Sequence, residues 1–350
     1  MNVAVVGASG YSGLELIRII LLHPKITLTN IYAHSQEYNS ILELFPHLSD
    51  LLDLPLELIS TLTDNKIRKL KENVDVVFLA TPSGVSLELG AKFLQQGFKV
   101  IDLSGDLRLK DPAIYQEWYG RKGADPEMLE QAVYGLSEWY PDKIRTARYI
   151  ANPGCYATSI LLALAPLFHH CLPIKSIVID AKSGVSGAGR SYSNNTHFSE
   201  INNNFKTYKV GIHQHIPEIE QILEDIGGKK TTIQLITHLV PMIRGILSTI
   251  YVEFAEETSY QEINALYRQA YLKQPFIRLR PEGEYPETKQ VYGTNYCDIG
   301  LFFDQRTKRL ILFSVIDNLV KGAAGQAVQN LNLMMGWEQD LGLTFIPLYP

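Results

Sequence analysis

Residues 2–24 read NVAVVGASGYSGLELIRIILLHP: a short apolar run, a turn with glycine at 7, 10 and 13, then apolar positions at helical spacing until Pro24 stops them. Strand, glycine turn and helix in that order start a βαβ series. The alternation goes on through TLTNIYA, a looser region to about residue 55, a polar helical piece near 64–72, the strand VDVVFLATP, a helix near 84–96 and the strand FKVIDLS. Such a series implies a parallel sheet with helices on both faces, an α/β, Rossmann-like domain.

From about residue 175 the pattern changes. KSIVIDAKS, TTIQLITHLVP, GILSTIYVEFA, NYCDIGLFFD and RLILFSVID are long β-rich segments, and the helix candidates among them are HIPEIEQILEDIG and SYQEINALYRQAYLKQ. Consecutive strands with little crossover material predict an α+β domain built on an antiparallel or mixed sheet. The last helical segment, LVKGAAGQAVQNLNLMMG, is placed to return to the first domain.

A length of 350 residues suits two domains, and 46% apolar with 20% charged residues is the mixture of a soluble globular protein. A net charge of −5 without any Lys/Arg-rich run argues against a nucleic-acid partner. The first residues lack a basic n-region and no apolar stretch reaches the roughly 18 residues that span a bilayer, so a cytoplasmic chain without membrane contact is expected. Cys155, Cys171 and Cys297 show no C-x-x-C spacing, which suggests neither a disulfide framework nor a zinc knuckle.

After a strand and before a helix, the turn residues Gly7, Ser9, Gly10, Tyr11, Ser12 and Gly13 can present backbone amides to a pyrophosphate. The spacing is G-x-x-G-x-x-G and not the commoner G-x-G-x-x-G. At the end of the second strand, where NAD enzymes carry an acid for the ribose, IYAHSQ offers His34, Ser35 and Gln36; without an acid to repel a 2′-phosphate, NADP(H) is the expected cofactor.

NPGCYATS (152–159) puts Cys155 behind a Pro-Gly turn at the start of the helical run SILLALAPLF. The positive end of a helix dipole favours thiolate. A packed apolar side chain is the ordinary fate of a free cysteine and is accepted for Cys171 and Cys297; at Cys155 the defined turn, with the Asn152 amide close to the sulfur, favours a nucleophile. His213 and His215 in GIHQHIPEIEQ supply proton partners, and Glu218 stands close enough in sequence to orient one imidazole. No third ligand for a metal is evident beside this pair. DLSGDLRL (102–109), directly after a sheet strand, adds Ser104 and Asp106 at a ligand-binding edge, and Arg108 there either grips a phosphate or carboxylate or makes a surface salt bridge to Asp102 or Asp106. A hydride cofactor and a thiolate together point to a substrate carried as an enzyme thioester.

The set GASGYSG, LATPSG, DLSGDLRL, ANPGCYAT, SGVSGAGR, FKTYKVGIHQHIPEI, HLVPMIRG, GTNYCDIG and DNLVKGAAGQAVQN, in this order along nearly the whole chain, resembles N-acetyl-gamma-glutamyl-phosphate reductases of the aspartate-semialdehyde dehydrogenase-like superfamily. The resemblance implies NADPH-dependent reduction of N-acetyl-L-glutamyl 5-phosphate to the semialdehyde, with release of phosphate, in arginine biosynthesis. It implies a dinucleotide-binding domain of residues 1–152 and 318–350 and a catalytic and dimerisation domain of 153–317, in a homodimer or homotetramer. It makes Cys155 the nucleophile and His213 and His215 the proton carriers; Ser104, Arg108 and Asn152, read from their places in DLSGDLRL and NPGC, are expected at the substrate. Thr81, Pro82 and Ser83 would lie beside the cofactor, and Ser183, Gly184, Gly187 and Asn318 toward its nicotinamide. Gln214 departs from the arginine that the family more often carries between the histidines. Aspartate-semialdehyde dehydrogenase, a paralogue acting on carrier-linked aminoadipyl phosphate, and a catalytically silent NADP-binding regulator are the rival readings.

Overall fold

The computed structural model describes residues 1–34 and 38–349 and divides into two compact units. The first comprises Met1–Pro153 with Ala323–Thr344. Its strands are β1 (Asn2–Val6), β2 (Thr27–Ala33), β3 (Leu56–Leu58), β4 (Val76–Leu79), β5 (Lys99–Asp102), β6 (Ala132–Tyr134) and β7 (Tyr149–Ala151). They form one sheet in the order β3-β2-β1-β4-β5-β7-β6, parallel at every pairing. Val3–Val6 and Val76–Leu79 are fully buried, as strands covered on both faces must be. Because the chain runs outward from β1 through β2 and β3 and then restarts at β4 on the other side, the strand order reverses at the carboxyl end of β1, where the glycine turn lies.

The helix Gly325–Met334 belongs to this unit and packs on the helix Tyr11–Leu22 and on β5. All its residues are buried, although it carries Gln326, Gln329, Asn330 and Asn332. Each amide is hydrogen-bonded: Gln326 and Asn330 donate to Gly135 O at 2.8 Å, Gln329 to Glu138 Oε1 and Asn332 to Leu341 O. The sequence suggested one continuous helix from Leu319; instead a π-wound turn, Val320–Ala324, precedes it. Residues 345–349 lie with the second unit, whereas the expected boundary put 318–350 with the first, and Leu348 N–H donates to Tyr292 O.

The second unit runs from Gly154 to Gly322. Its strands are β8 (Ile174–Gly184), β9 (Lys206–Tyr208), β10 (Gln234–Val240), β11 (Ile246–Phe254), β12 (Ile277–Leu279), β13 (Cys297–Asp304) and β14 (Arg309–Ile316), in the order β12-β13-β14-β11-β8-β10-β9. Only β10–β8 and β12–β13 pair in parallel, so the sheet is mixed. One face is covered by the helix Cys155–His169, apolar all round and buried from Tyr156 to Phe168. Pro166 inside that helix cannot donate to Leu162 O; the Tyr271 hydroxyl donates to that carbonyl instead, and Tyr267 to Ala163 O. No helix among the described residues is long and apolar enough to cross a membrane.

Candidate active site

In the first unit the three glycines of the turn have separate reasons. Gly7 holds φ at +96°, and a Cβ there would fall on the Ala80 carbonyl; a Cβ on Gly13 would collide with the backbone of Gly7 and Ala8. A Cβ on Gly10 would meet only Gly7 O, at an ordinary 3.5 Å. Internal packing therefore demands glycine at 7 and 13 but not at 10, where the bare backbone leaves room for a ligand to approach. No side chain caps the helix that Gly10 opens, and Ser9, Tyr11 and Ser12 stand partly exposed around its amino end. Bare amides at the positive end of a helix suit a diphosphate. Of the residues after the second strand, His34 is exposed, while Ser35 and Gln36 lie outside the described residues.

Two further loops are knitted together. Asp106, nearly fully buried, accepts the N–H groups of Gly84 and Leu87 and the Tyr115 hydroxyl, so a carboxylate from the DLSGD loop caps the helix Val85–Gln95 that follows Thr81-Pro82-Ser83. Thr81 is buried with its hydroxyl 2.7 Å from that of Ser86; Pro82 is exposed, and Ser83 Oγ accepts from Gly105 N–H. Ser104 was expected at the substrate, but its hydroxyl donates to Asp102 Oδ2 at 2.8 Å and accepts from Asp106 N–H, so it shapes the loop. Asp102 is itself fully buried, which pushes its carboxyl up to about 6 against the hydrogen bonds from Ser104 and Tyr149.

Arg108 is buried, which removes the surface salt bridge from consideration. Its Nε donates to Asn152 O and its Nη2 to Leu103 O, both at 2.8 Å, clamping the chain just ahead of the Pro-Gly turn. The Asn152 side chain, expected at the sulfur, is fully buried: its Nδ2 donates to Ala323 O and its Oδ1 accepts from Asn330. Tethering the turn consumes the amide, so a substrate contact by it is withdrawn.

In the second unit Cys155 is the first residue of its helix and partly exposed. A Cβ on the preceding Gly154 would run into the His215 imidazole, which brings that ring against the residue before the thiol. Gly154 N–H donates to Glu218 Oε1 at 2.8 Å, so this carboxylate ties the histidine-bearing helix to the turn. The two imidazoles lie 4.6 Å apart at 67°. His213 Nδ1 accepts the His215 backbone N–H at 3.1 Å; it must carry a lone pair there, which puts the His213 proton on Nε2. Tyr156 meets His213 edge-on at 5.3 Å and Tyr208 does so at 5.9 Å, while the Tyr208 hydroxyl donates to that of Tyr156. In this box burial pushes His213 down to about 2, with the charges of His215 and Lys209 adding and Glu218 opposing. His213 is thus a neutral N–H donor. Burial also raises Tyr156 and Tyr208 well above an ordinary phenol, and the Cys155 charge works in the same direction.

The remaining expectations change. Asn318 is buried: its Oδ1 accepts Gly245 N–H at 2.7 Å and its Nδ2 donates to Ser186 Oγ at 2.9 Å, so its side chain pins two loops together and does not reach out. Ser183 is buried with its hydroxyl on Gly184 O, and a Cβ on Gly184 would collide with the Ile243–Arg244 backbone. Of that group only Gly187 is exposed. Cys297 is buried as expected, whereas Cys171 is exposed. Among the described residues no group of three or more His, Cys, Asp or Glu could hold a metal. Sequence reasoning missed the two tyrosines; Tyr156 adjoins the cysteine, but nothing in the spacing of Tyr208 marks it.

Comparison with known proteins covers both units. The semialdehyde dehydrogenase NAD binding domain family matches residues 2–147, and the semialdehyde dehydrogenase dimerisation domain family matches 155–318. The chain is 49% identical to an N-acetyl-gamma-glutamyl-phosphate reductase from Geobacillus sp. (strain WCH70) and 51% identical to one from Geobacillus kaustophilus, in each case over 351 residues and the whole of both chains. Among solved structures it resembles aspartate semialdehyde dehydrogenase II from Vibrio cholerae complexed with ASA, at a TM-score of 0.72 and 17% identity over 96% of this chain and 98% of that one. It also resembles the Candida albicans aspartate semialdehyde dehydrogenase with NADP, at 0.67 and 15% over 95% and 98%. These two likenesses speak for the fold.

Proposed function

The chain belongs to the N-acetyl-gamma-glutamyl-phosphate reductase family, and on that premise we propose that Cys155 is its nucleophile, His215 its proton carrier and His213 a neutral hydrogen-bond donor. The reaction is reduction of N-acetyl-L-glutamyl 5-phosphate to N-acetyl-L-glutamate 5-semialdehyde with release of phosphate, a step of arginine biosynthesis that uses a nicotinamide dinucleotide. The observation that carries the division of labour is the His215 ring packed against Gly154, next to the thiol, while His213 is boxed by tyrosines.

His215 takes the thiol proton, and the Cys155 sulfur attacks the acyl-phosphate carbonyl. The bond from that carbon to the phosphate oxygen breaks, and the departing phosphate takes up the reaction's one net proton. When bound, the reduced nicotinamide supplies the hydride that turns the thioester into a thiohemiacetal. His213, with its proton held on Nε2, donates a hydrogen bond to the oxygen that gains charge. Collapse of the thiohemiacetal breaks the carbon–sulfur bond, releases the aldehyde, and returns the proton from His215 to sulfur. Glu218 keeps the histidine helix and the Cys155 turn in one piece.

Gly7, Gly10 and Gly13 with Ser9, Tyr11 and Ser12 would hold the dinucleotide, beside Thr81, Pro82 and Ser83, and NADP(H) is the form we propose. The bare Gly10 supports that location. We also propose a homodimer, in the cytoplasm, formed through the sheet face opposite the Cys155 helix. Val178, Tyr251, Ile311 and Phe302 stand side by side there across β8, β11, β14 and β13, three of them exposed.

The test is the reverse reaction. Purified enzyme with N-acetylglutamate semialdehyde, phosphate and NADP should form NADPH, and aspartate semialdehyde should be turned over far more slowly. Preference for aspartate semialdehyde would replace this reading with the aspartate enzyme, which shares the fold.

A further inference from the structure

We propose that the π-wound turn Val320–Ala324 seats the nucleophile and that Gly322 is its positioning residue. Gly322 N–H donates to Asp317 O, five residues back, at 3.0 Å, the wide closure of a π turn. The start of the turn is pinned by the fully buried Asp317: its Oδ1 accepts Leu319 N–H at 2.8 Å and Val320 N–H at 3.2 Å, and its Oδ2 accepts Gly293 N–H at 2.8 Å. The widened turn lays Gly322 directly on Cys155. A Cβ built on Gly322 would stand 2.8 Å from the Cys155 Cβ, 3.2 Å from its Cα and 3.3 Å from Ile316 Cδ1.

Gly322 does not have a positive φ, so its own backbone conformation does not call for glycine. The demand for glycine comes from what it touches. Since the obstructing atoms are the Cα and Cβ of the first residue of a long buried helix, they have no free end to swing aside, and any side chain at 322 must move Cys155 itself. Cys155 is therefore flanked by two glycines: Gly154 gives way to the His215 ring, and Gly322 gives way to the cysteine. A π turn is rare and often found at functional sites, and here the widening has a use, because it brings a residue without a side chain to the sulfur-bearing one.

This inference rests on Cys155 being the nucleophile, and its test separates the two claims. Gly322→Ala should leave the NADP(H) dissociation constant within about twofold and lower kcat roughly 100-fold, the scale expected when a reacting atom is misplaced by about 1 Å. It should also change the rate of Cys155 alkylation by iodoacetamide, which a purely structural glycine would not. In parallel, Gly322→Ala should lower Tm in the wild-type background and lower it clearly less in a Cys155→Gly background, where the closest obstructing atom, the Cβ at 2.8 Å, is gone and only the tighter-than-usual contacts to the Cα and to Ile316 Cδ1 remain. If Gly322→Ala alone does not fold, a folded double variant carries the same conclusion. Unchanged kcat and alkylation, or an equal Tm loss with and without the Cys155 side chain, would overturn the inference. Absence of turnover by the wild type would instead overturn the family reading, with the alkylation and Tm comparisons still deciding the contact.

Discussion

Glu218 Oε1 accepts the N–H of Gly154 at 2.8 Å, so a fully buried carboxylate joins the helix that begins at His215 to the residue before Cys155. Glu218→Ala should cost about 1–3 kcal/mol in urea unfolding, the penalty for leaving that N–H buried and unpaired, and should depress kcat. Glu218→Gln keeps an acceptor in the same place and should retain most of the stability. Equal losses in the two variants would mean that the hydrogen bond to Gly154 is not what matters.

Burial pushes His213 down to about 2 in the folded protein, against about 6.5 for a free imidazole, so between those values the unfolded chain binds more protons. Stability from this group is complete above about pH 6.5 and falls as pH drops toward 2, by about 1.4 kcal/mol per unit. His213→Gln, which cannot take up the proton, should flatten the unfolding free energy between pH 4 and 6 by that slope. The acid limb of kcat/KM should persist in His213→Gln and disappear in His215→Gln. The opposite pattern would exchange the roles given to the two histidines.

Gly10→Ala should fold with near-normal Tm and bind NADPH weakly, because its new methyl group makes only an ordinary 3.5 Å contact with Gly7 O but stands where we propose the cofactor approaches. Gly7→Ala and Gly13→Ala should instead lose stability, since each methyl collides with backbone. Calorimetry and NADPH fluorescence titration of the three variants decide this. Tight NADPH binding by Gly10→Ala would remove the turn from the cofactor site.

The fold was legible where periodicity was strong: the βαβ series followed from buried runs such as Val3–Val6, and the change to long strands announced the mixed sheet. At the candidate site, sequence spacing singled out Cys155, His213 and His215, which the structure brings close together, because turn chemistry and paired histidines are local signals. What it did not reveal was which polar groups are already committed. Asn152, Ser104 and Asn318 look like ligand contacts in a motif, but each is hydrogen-bonded to partners far along the chain or across a loop, as Asn152 is to Asn330. Nor could spacing distinguish the two histidines, because the difference lies in the aromatic box of Tyr156 and Tyr208.

Tyr251 lies between Val178 and Ile311 in a row that crosses the open face of the mixed sheet. If that row forms the dimer interface we propose, Tyr251→Arg should leave monomers in sedimentation velocity, since a charge in the middle of an apolar interface would be unpaired. A wild type that sediments as a monomer, or a variant that stays dimeric, would remove that face from the interface.

Covalent capture of the substrate tests the central claim most directly. Enzyme mixed with N-acetylglutamyl phosphate and no reduced cofactor should release one equivalent of phosphate and hold the acyl group on the peptide containing Cys155, and NADPH should then discharge it as the semialdehyde. Cys155→Ser should bind NADPH and fail to acylate productively. An acyl group found on Cys171 or Cys297, or steady turnover by Cys155→Ser, would contradict the account.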